Sequence, residues 1–171
     1  NAKETVYTNA QGQYSLTTGF TGNVVLRSRM FGFQDQNKAL ELAADTVLQT
    51  DFTIKKLADA QAVSDQLTAS AHAAVLPFHE EDTKGAFIRD CSYCHQQGNS
   101  LTRRPRDKQA WSDTDWRMEG YGAYITYGQH ARIVQAQFDG FNGEPVVATQ
   151  VNPYSPELAT AKVFEWHAGN G

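Results

Sequence analysis

Several features are scarce or absent in this chain of 171 residues. It has two cysteines and two methionines, and the cysteines lie three residues apart, so no network of disulfides can hold the fold together. No apolar run approaches the roughly 18–20 residues that a membrane-spanning helix needs. Basic charge is not in excess, since 15 Lys and Arg stand against 19 Asp and Glu. This balance predicts neither a membrane span nor general nucleic-acid binding.

Both cysteines belong to one pentapeptide, Cys91-Ser92-Tyr93-Cys94-His95, here called the C-x-x-C-H segment. This pattern is the attachment sequence of a c-type haem, in which two thiols form thioethers to the macrocycle and the adjoining histidine becomes the proximal iron ligand. The sequence therefore predicts one covalent haem c on Cys91 and Cys94. His95 is the expected metal ligand.

Three other interpretations of this segment are weaker. A structural zinc site needs four ligands, and the chain has no further cysteine and no histidine pair at zinc spacing. A thioredoxin-like dithiol would lie between a strand and a helix of a parallel sheet, and nothing around residues 89–97 has that pattern. A disulfide across so short a loop would add little stability. The spacing and the adjoining histidine thus favour haem.

The chain changes character near residues 55–60. The first part alternates in the manner of strands, at residues 5–8, 13–16, 24–26, 39–42 and 51–54, with turns between them. The later part has helical spacing. The fold class expected is therefore α+β, with a small, partial antiparallel β-sandwich over residues 1–56 followed by an all-α domain over residues 57–171.

The helical part can be divided further. Residues 59–71 are alanine-rich and predict one helix, and residues 80–95 predict a short helix that ends at the C-x-x-C-H segment. Trp111 and Met118 share a stripe of the next predicted helix, and residues 129–138 form another. Ser155-Pro156-Glu157 has an N-cap hydroxyl and a proline at the first helical position, which predicts a last helix that extends through Trp166.

The first part resembles the carboxypeptidase-regulatory-like, transthyretin-type β-sandwich domain. The residues that carry this resemblance are Thr5-Val6-Tyr7-Thr8-Asn9-Ala10-Gln11-Gly12-Gln13-Tyr14-Ser15-Leu16, Gly32-Phe33 and Asp51-Phe52-Thr53-Ile54. Such domains normally open with a further pair of strands, which this stretch lacks. The resemblance therefore implies an unpaired sheet edge, covered by another chain or by an unseen part of the same molecule.

The second part resembles the monohaem cytochrome c segment of bacterial proteins that join a regulatory-like β domain, a cytochrome c and a β-propeller of the streptogramin-lyase type. The residues that carry this resemblance are Cys91-Ser92-Tyr93-Cys94-His95-Gln96-Gln97-Gly98-Asn99, Arg103-Arg104-Pro105-Arg106, Trp111 and Arg117-Met118-Glu119-Gly120-Tyr121. The propeller is not in this sequence, so no activity that belongs to a propeller is carried over. The resemblance implies that Arg103, Arg104, Trp111 and Tyr121 surround the haem.

The sixth iron ligand is left open by the sequence. A methionine opposite His95 would raise the potential, whereas a second histidine would lower it. Met118 is the first choice because Met30, the other methionine, lies in the predicted β domain. His130 is the alternative, and it is followed by His72, His79 and His167. Five-coordinate iron remains possible if Met118 only packs against the ring.

A short basic run follows the C-x-x-C-H segment and consists of Arg103, Arg104, Arg106 and Lys108. Guanidinium groups pair bidentately with carboxylates, so this run could neutralise haem propionates or bind an acidic partner. A solvated loop explains it equally well. Tyr121, Tyr124 and Tyr127 could wall the haem, although core packing predicts the same spacing.

Two classes of function are compatible with these observations. The first is a c-type cytochrome that transfers single electrons between a dehydrogenase or another cytochrome and a further partner, as a subunit or fragment of a larger assembly. The second is the haem-containing part of an enzyme with an open iron site, either peroxidase-like or associated with a quinoprotein. Covalent haem attachment ordinarily takes place outside the cytoplasm, so we expect a periplasmic or extracellular location. Asn1 is then expected to begin a processed or partial chain.

Overall fold

The computed structural model describes residues 2–147 and 155–166. In this part of the chain it is mixed α and β, with five α-helices and small antiparallel sheets. The elements are β1 (Ala2–Val6), β2 (Gly22–Ser28), β3 (Gln36–Leu42), α1 (Ala60–Ser64), α2 (Ala69–Ala74), α3 (Glu81–Ala86), a π-helical turn (Phe87–Cys91), α4 (Lys108–Gly120), α5 (Tyr127–Gly140), a 3-10 helix (Pro156–Thr160) and β4 (Lys162–Trp166).

The described residues fall into two compact units. The first contains residues 2–29, 35–54 and 155–166, and the second contains residues 30–34 and 55–147. The sequence predicts a division between residues 56 and 57. These units differ from it, because Met30 and its neighbours join the second unit and residues 155–166 join the first.

The first unit contains two antiparallel pairs of strands. β1 pairs with β4, and β2 pairs with β3. Along β2 and β3 half-buried residues alternate with exposed ones, as the two-residue period of a strand requires. Val24 faces Leu40 across the pair and Leu26 faces Lys38. Strand pairs of this size are marginal alone, so side-chain contacts within the unit add to their stability.

Two predicted strands, residues 13–16 and 51–54, are not strands in the structure. Side-chain contacts, and not backbone hydrogen bonds between strands, hold these two segments in place. The Tyr14 hydroxyl donates to the Thr50 carbonyl at 2.7 Å, and the Tyr14 and Phe52 rings have their centroids 6.4 Å apart. The Lys38 ammonium lies 5.1 Å from the centre of the Phe52 ring. Tertiary contacts thus replaced the strand pairing that local propensity favours.

The prediction of a last helix through Trp166 is wrong. Ser155 and Pro156 do begin a helical turn, but it is a 3-10 helix that ends at Thr160. The chain then forms β4, which pairs with β1 from Ala2↔Trp166 to Val6↔Lys162. The physical reason is that β4 is rich in β-branched and aromatic residues, and β1 offers it an edge to pair with.

The helices of the second unit begin at side-chain caps. Asp59 caps α1 by accepting from the Gln61 amide, and Thr68 caps α2 by accepting from the Ala71 amide. The single helix predicted over residues 59–71 is therefore two, since the Thr68 cap starts a new helix. The prediction of a helix over residues 129–138 is confirmed by α5, which opens with a capping box between Thr126 and Gln129.

The core of the second unit lies where the π-helical turn, α4 and α5 meet. Its buried members are Leu76, Phe87, Trp111, Ile133, Val134 and Phe141. Arg132 of α5 joins α3 to this core by donating from Nε to the Thr83 hydroxyl at 2.7 Å. This tether and the core fix the position of the chain that leads into the C-x-x-C-H segment.

The turn after the C-x-x-C-H segment packs tightly against α2. Gly98 has a φ of +82°, and a Cβ atom added there would lie 2.2 Å from the Ala69 carbonyl oxygen and 2.8 Å from the Ala73 nitrogen. Both neighbours are backbone atoms, which cannot rotate out of the way. Only glycine therefore fits at this position.

In residues 2–147 and 155–166 no helix is long and apolar enough to cross a membrane. This agrees with the sequence-based expectation of no membrane span.

Gly98→Ala should destabilise the second unit strongly. Gly32→Ala is the matched control, because Gly32 has a φ of +78° with no atom within 4 Å of the added Cβ. Both variants carry a left-handed penalty of about 1–2 kcal/mol, whereas only Gly98→Ala adds the clash. We expect the free energy of unfolding to be lower in Gly98→Ala by about a further 1–3 kcal/mol, as measured by urea denaturation. Equal losses in the two variants would contradict the packing described here.

Candidate functional site

The helical stretch that leads into the C-x-x-C-H segment changes from an α-helix to a π-helix. α3 ends at Ala86, and Phe87–Cys91 forms a single π-helical turn, a feature that is frequent at functional sites. Phe87 is buried at the start of that turn, with its ring centroid 5.2 Å from that of Phe78. The sequence predicts a helix over residues 80–95, whereas in the structure the helical turn ends at Cys91 and residues 92–95 are irregular.

The three expected haem residues differ in their exposure. Cys91 is half-buried and packs against the hydrophobic core, whereas Cys94 and His95 are exposed. The two thiols are not joined in a disulfide. One thiol therefore lies at the edge of the core, while the other thiol and the imidazole face outward on the same short turn.

The Cys91 thiol lies beside an acidic face of α4. Burial, followed by the carboxylates of Asp115, Asp90 and Glu119 in that order, raises the pKa of Cys91 to about 12. The thiol is therefore protonated at neutral pH. Asp115 and Glu119 of α4 are thus among the charges near Cys91.

Met118 belongs to the same face of α4. Asp115 lies three residues before Met118 and four before Glu119, so Met118 is a helical neighbour of Asp115. Met118 is half-buried. Met118 therefore lies beside one of the carboxylates that raise the pKa of Cys91.

His130, the alternative distal ligand, has both ring nitrogens engaged. Its Nδ1 lies 2.7 Å from Glu119 Oε1, and its Nε2 lies 3.0 Å from the Ser112 hydroxyl. The ring is buried and stacks on Trp116, with the centroids 4.1 Å apart. Binding iron through either nitrogen would break one of these hydrogen bonds and draw the ring out of the α4–α5 interface.

The remaining histidines are less suited to the role. His72 is buried, and its Nε2 lies 3.0 Å from the Ser64 carbonyl oxygen. Burial and the nearby Arg103 lower the pKa of His72. His79 is exposed, and His167 lies outside the described residues.

Met30 needs renewed consideration as an iron ligand. The sequence argument set it aside as part of the β domain, but residues 30–34 cluster with the second unit. Met30 is 48 % exposed, and its carbonyl accepts from the Phe33 amide in a turn. Met118 is thus not the only methionine in the unit that carries the C-x-x-C-H segment.

Trp111 lies in the core and not on an open surface. Its ring packs on Phe141, with the centroids 5.8 Å apart, and the Arg106 guanidinium carbon lies 4.4 Å from the centre of the Trp111 ring. Its indole Nε1 is buried and finds no partner among the described residues. The same is true of one oxygen each of Asp115 and Gln137, which hydrogen-bond each other at 3.3 Å through their remaining atoms.

The sequence predicts that Arg103 and Arg104 lie beside the haem. They line a cavity of about 180 Å³ together with His72 and Phe141, and no residue of the C-x-x-C-H segment lines it. Arg103 Nη2 also forms a 2.5 Å ion pair with Asp65. Their assignment to haem propionates therefore stays a prediction.

Tyr121 and its neighbours do not pack in the core. Tyr121, Tyr124 and Tyr127 are 76 %, 79 % and 82 % exposed, so the core explanation for their spacing is wrong. Tyr93, inside the C-x-x-C-H segment, is 87 % exposed. The second unit therefore has large aromatic side chains available to cover a flat apolar ligand.

The donor set fits a c-type haem in its chemistry. Two free thiols and one imidazole on a single turn match what covalent attachment and proximal ligation need. Gln97 lies beside them, donating to the Cys91 carbonyl at 2.6 Å, and its amide nitrogen is 3.4 Å from His95 Nδ1. In the part of the chain described, no group of three or more His, Cys, Asp or Glu could hold a metal ion directly. A haem iron needs only one or two protein ligands, because the macrocycle supplies the others.

The sequence argument overlooked several of these residues. Asp115 was not singled out, and Glu119 was named only within a longer motif. Their spacing from Trp111, at four and eight residues, could have indicated a polar face on an otherwise core-forming helix. Nothing in the sequence indicated that Ser112 and His130 would meet, because the contact depends on how α4 and α5 pack.

Comparison of the chain with protein-family models, with curated proteins and with solved structures finds no match. The chemistry of the site therefore has to carry the functional argument.

The buried Asp115 should make stability depend on pH. Burial raises the pKa of this carboxyl from 3.8 to about 6, against the opposing effect of the Gln137 hydrogen bond. The folded chain thus binds the proton more tightly than the unfolded chain, and the free energy of unfolding falls as pH rises between these two values. The full effect is about 3 kcal/mol at most.

Asp115→Asn should remove this dependence, so that the variant gains stability over the parent at pH 7 but not at pH 4. Denaturant titrations at several pH values measure it. Asp113→Asn, at an exposed position of the same helix, is the control and should leave the slope unchanged. A parent chain with no loss of stability over this range would contradict the burial of Asp115.

Proposed function

We propose that this chain is a c-type cytochrome that carries one covalently attached haem and transfers single electrons. The observation that carries the proposal is the C-x-x-C-H segment at the end of a π-helical turn. There Cys94 and His95 are exposed while Cys91 borders the core. A haem bound at this turn would supply a one-electron redox centre.

The residues around the segment have separate tasks in this proposal. Cys91 and Cys94 form the thioethers, and His95 is the proximal ligand. Gln97 is a positioning residue, because its amide contacts both the Cys91 carbonyl and the His95 ring. Outer hydrogen bonds of this kind orient a ligating histidine.

Met118 is the proposed distal ligand. Its support is its place beside Asp115 on α4, since Asp115 is one of the carboxylates that raise the pKa of Cys91. The two hydrogen bonds and the ring stacking of His130 count against that alternative. Met118 is half-buried and has no comparable bonds to lose.

The exposed tyrosines near α4 and α5 support a role in covering the haem or in contacting a redox partner. Aromatic side chains combine a large apolar area with a polar end, which suits both tasks. The partner is proposed to be a dehydrogenase or another cytochrome, and the location periplasmic or extracellular. The protein would act as part of a larger assembly.

Covalent attachment can be tested directly by mass. When the chain is expressed with haem-attachment machinery, the denatured protein should carry one haem, on a peptide that contains Cys91 and Cys94. Cys91→Ser should lose one thioether, and the double variant with Cys94→Ser should lose the haem altogether. Ser92→Ala is the control, because it leaves both thiols in place. Two freely reactive thiols in the parent protein would refute the proposal.

The distal ligand can be identified by comparing three variants. Met118→Ala should abolish the near-infrared band of a thioether–iron bond and let the reduced protein bind carbon monoxide. Met30→Ala and His130→Ala should leave that band in place. Loss of the band in Met30→Ala alone would assign the bond to Met30. A parent protein that binds carbon monoxide readily would instead favour an open iron site and an enzymatic function.

A further inference from the structure

The cavity lined by Arg103 and Arg104 is separate from the C-x-x-C-H segment. It has a volume of about 180 Å³ and is bordered by α1, α2, the loop of residues 100–105 and the chain that follows α5. Ser64, His72 and Phe141 are its buried lining residues, at 1 %, 3 % and 4 % exposure. The charged residues along it are more exposed, so the cavity combines a buried interior with a charged opening.

Two cations border this cavity, and their surroundings differ. The ion pair with Asp65 holds the Arg103 side chain, which is 22 % exposed. Arg104 is exposed, and its guanidinium has no ion pair or hydrogen bond within residues 2–147 and 155–166. Arg106, by contrast, donates to the carbonyls of Thr102 and Arg104 and stacks on Trp111. Arg104 is therefore the cation of this loop that is free to bind a ligand.

The buried end of the cavity offers a hydrogen-bond donor. Ser64 Oγ accepts from the Val146 amide at 2.9 Å, which leaves its own proton available for a ligand. His72 must carry its proton on Nε2, because the Ser64 carbonyl near that nitrogen can only accept. The other nitrogen of the neutral ring is then an acceptor, and it becomes a donor only if His72 is protonated.

We propose that this cavity binds a small oxyanion, either inorganic phosphate or a short carboxylate. Arg104 and Arg103 would neutralise its charge, and the Ser64 hydroxyl would donate to one of its oxygens. The volume equals the share of about six water molecules in the liquid, well below the roughly 300 Å³ at which pockets for larger ligands begin. The proposal does not rest on haem attachment, since the C-x-x-C-H segment does not line the cavity.

Two carboxylates oppose the binding of an anion here. Glu144 lines the cavity and is exposed, and Asp65 is paired with Arg103. Removal of the Glu144 charge should therefore strengthen binding. Protonation of His72 would add a donor and a positive charge, so binding should also strengthen as pH falls and should raise the pKa of His72.

The test uses the full chain as it is purified and isothermal titration with inorganic phosphate and, separately, with acetate. Arg104→Gln should weaken binding about tenfold or more, which is the range of one charge-assisted hydrogen bond. Glu144→Gln should tighten it. Arg27→Gln, at an exposed position of β2 in the other unit, is the control and should leave affinity unchanged. The arm that gives the higher affinity identifies the anion.

A second measurement separates loss of binding from loss of folding. The His72 ring signals in an NMR titration should move with added anion in the parent and in Glu144→Gln, and should move far less in Arg104→Gln. No binding of either anion to the full chain would overturn the proposal. Equal losses in Arg104→Gln and Arg27→Gln would also overturn it, because they would indicate only a general charge effect.

Discussion

The burial of Phe87 is the contact on which the rest of the second unit depends. Its ring is 2 % exposed and joins Trp111 and Ile133 in one core, so the π-helical turn that begins at Phe87 is fixed at that end. Cys91 closes the turn at the edge of the same core. Truncation of an aromatic residue at such a position typically costs about 3–5 kcal/mol. The position of the C-x-x-C-H segment thus follows from the packing of one side chain.

Around this core, α4 and α5 enclose an unusual amount of polar surface. Asp115 and Gln137 are each less than 5 % exposed, and each has an oxygen without a partner among the described residues. Burial of such groups costs free energy that apolar packing must offset. His130 avoids this cost, because Glu119 and Ser112 satisfy both of its nitrogens. Such unfavourable burial is expected near a functional site, where a residue can serve function at a cost in stability. The polar interface of α4 and α5 lies next to the segment that is proposed to carry the haem.

The sequence predicted the elements whose signals are local. α5 has a capping box and a long apolar stripe, and α4 has Asp107 as its N-cap, so both helices appear close to where periodicity places them. β4 could not be predicted in this way, because its strand state depends on β1, about 160 residues away in the chain. The prediction of a single helix over residues 59–71 is wrong for a local reason. The Thr68 cap starts a new helix, although the helical pattern of the sequence extends over the whole range.

The candidate site also has one part that the sequence predicts and another part that depends on the tertiary structure. The sequence alone determined that Cys91, Cys94 and His95 lie within one stretch of five residues, because spacing along the chain does not depend on the fold. Only the tertiary structure decided which side chains meet that turn. It placed Asp115 and Glu119 of α4 near Cys91 and engaged both nitrogens of His130 in hydrogen bonds to Ser112 and Glu119. It also placed Arg103 and Arg104 on a separate cavity. Those contacts join residues far apart in sequence, and helix packing, not local propensity, sets them.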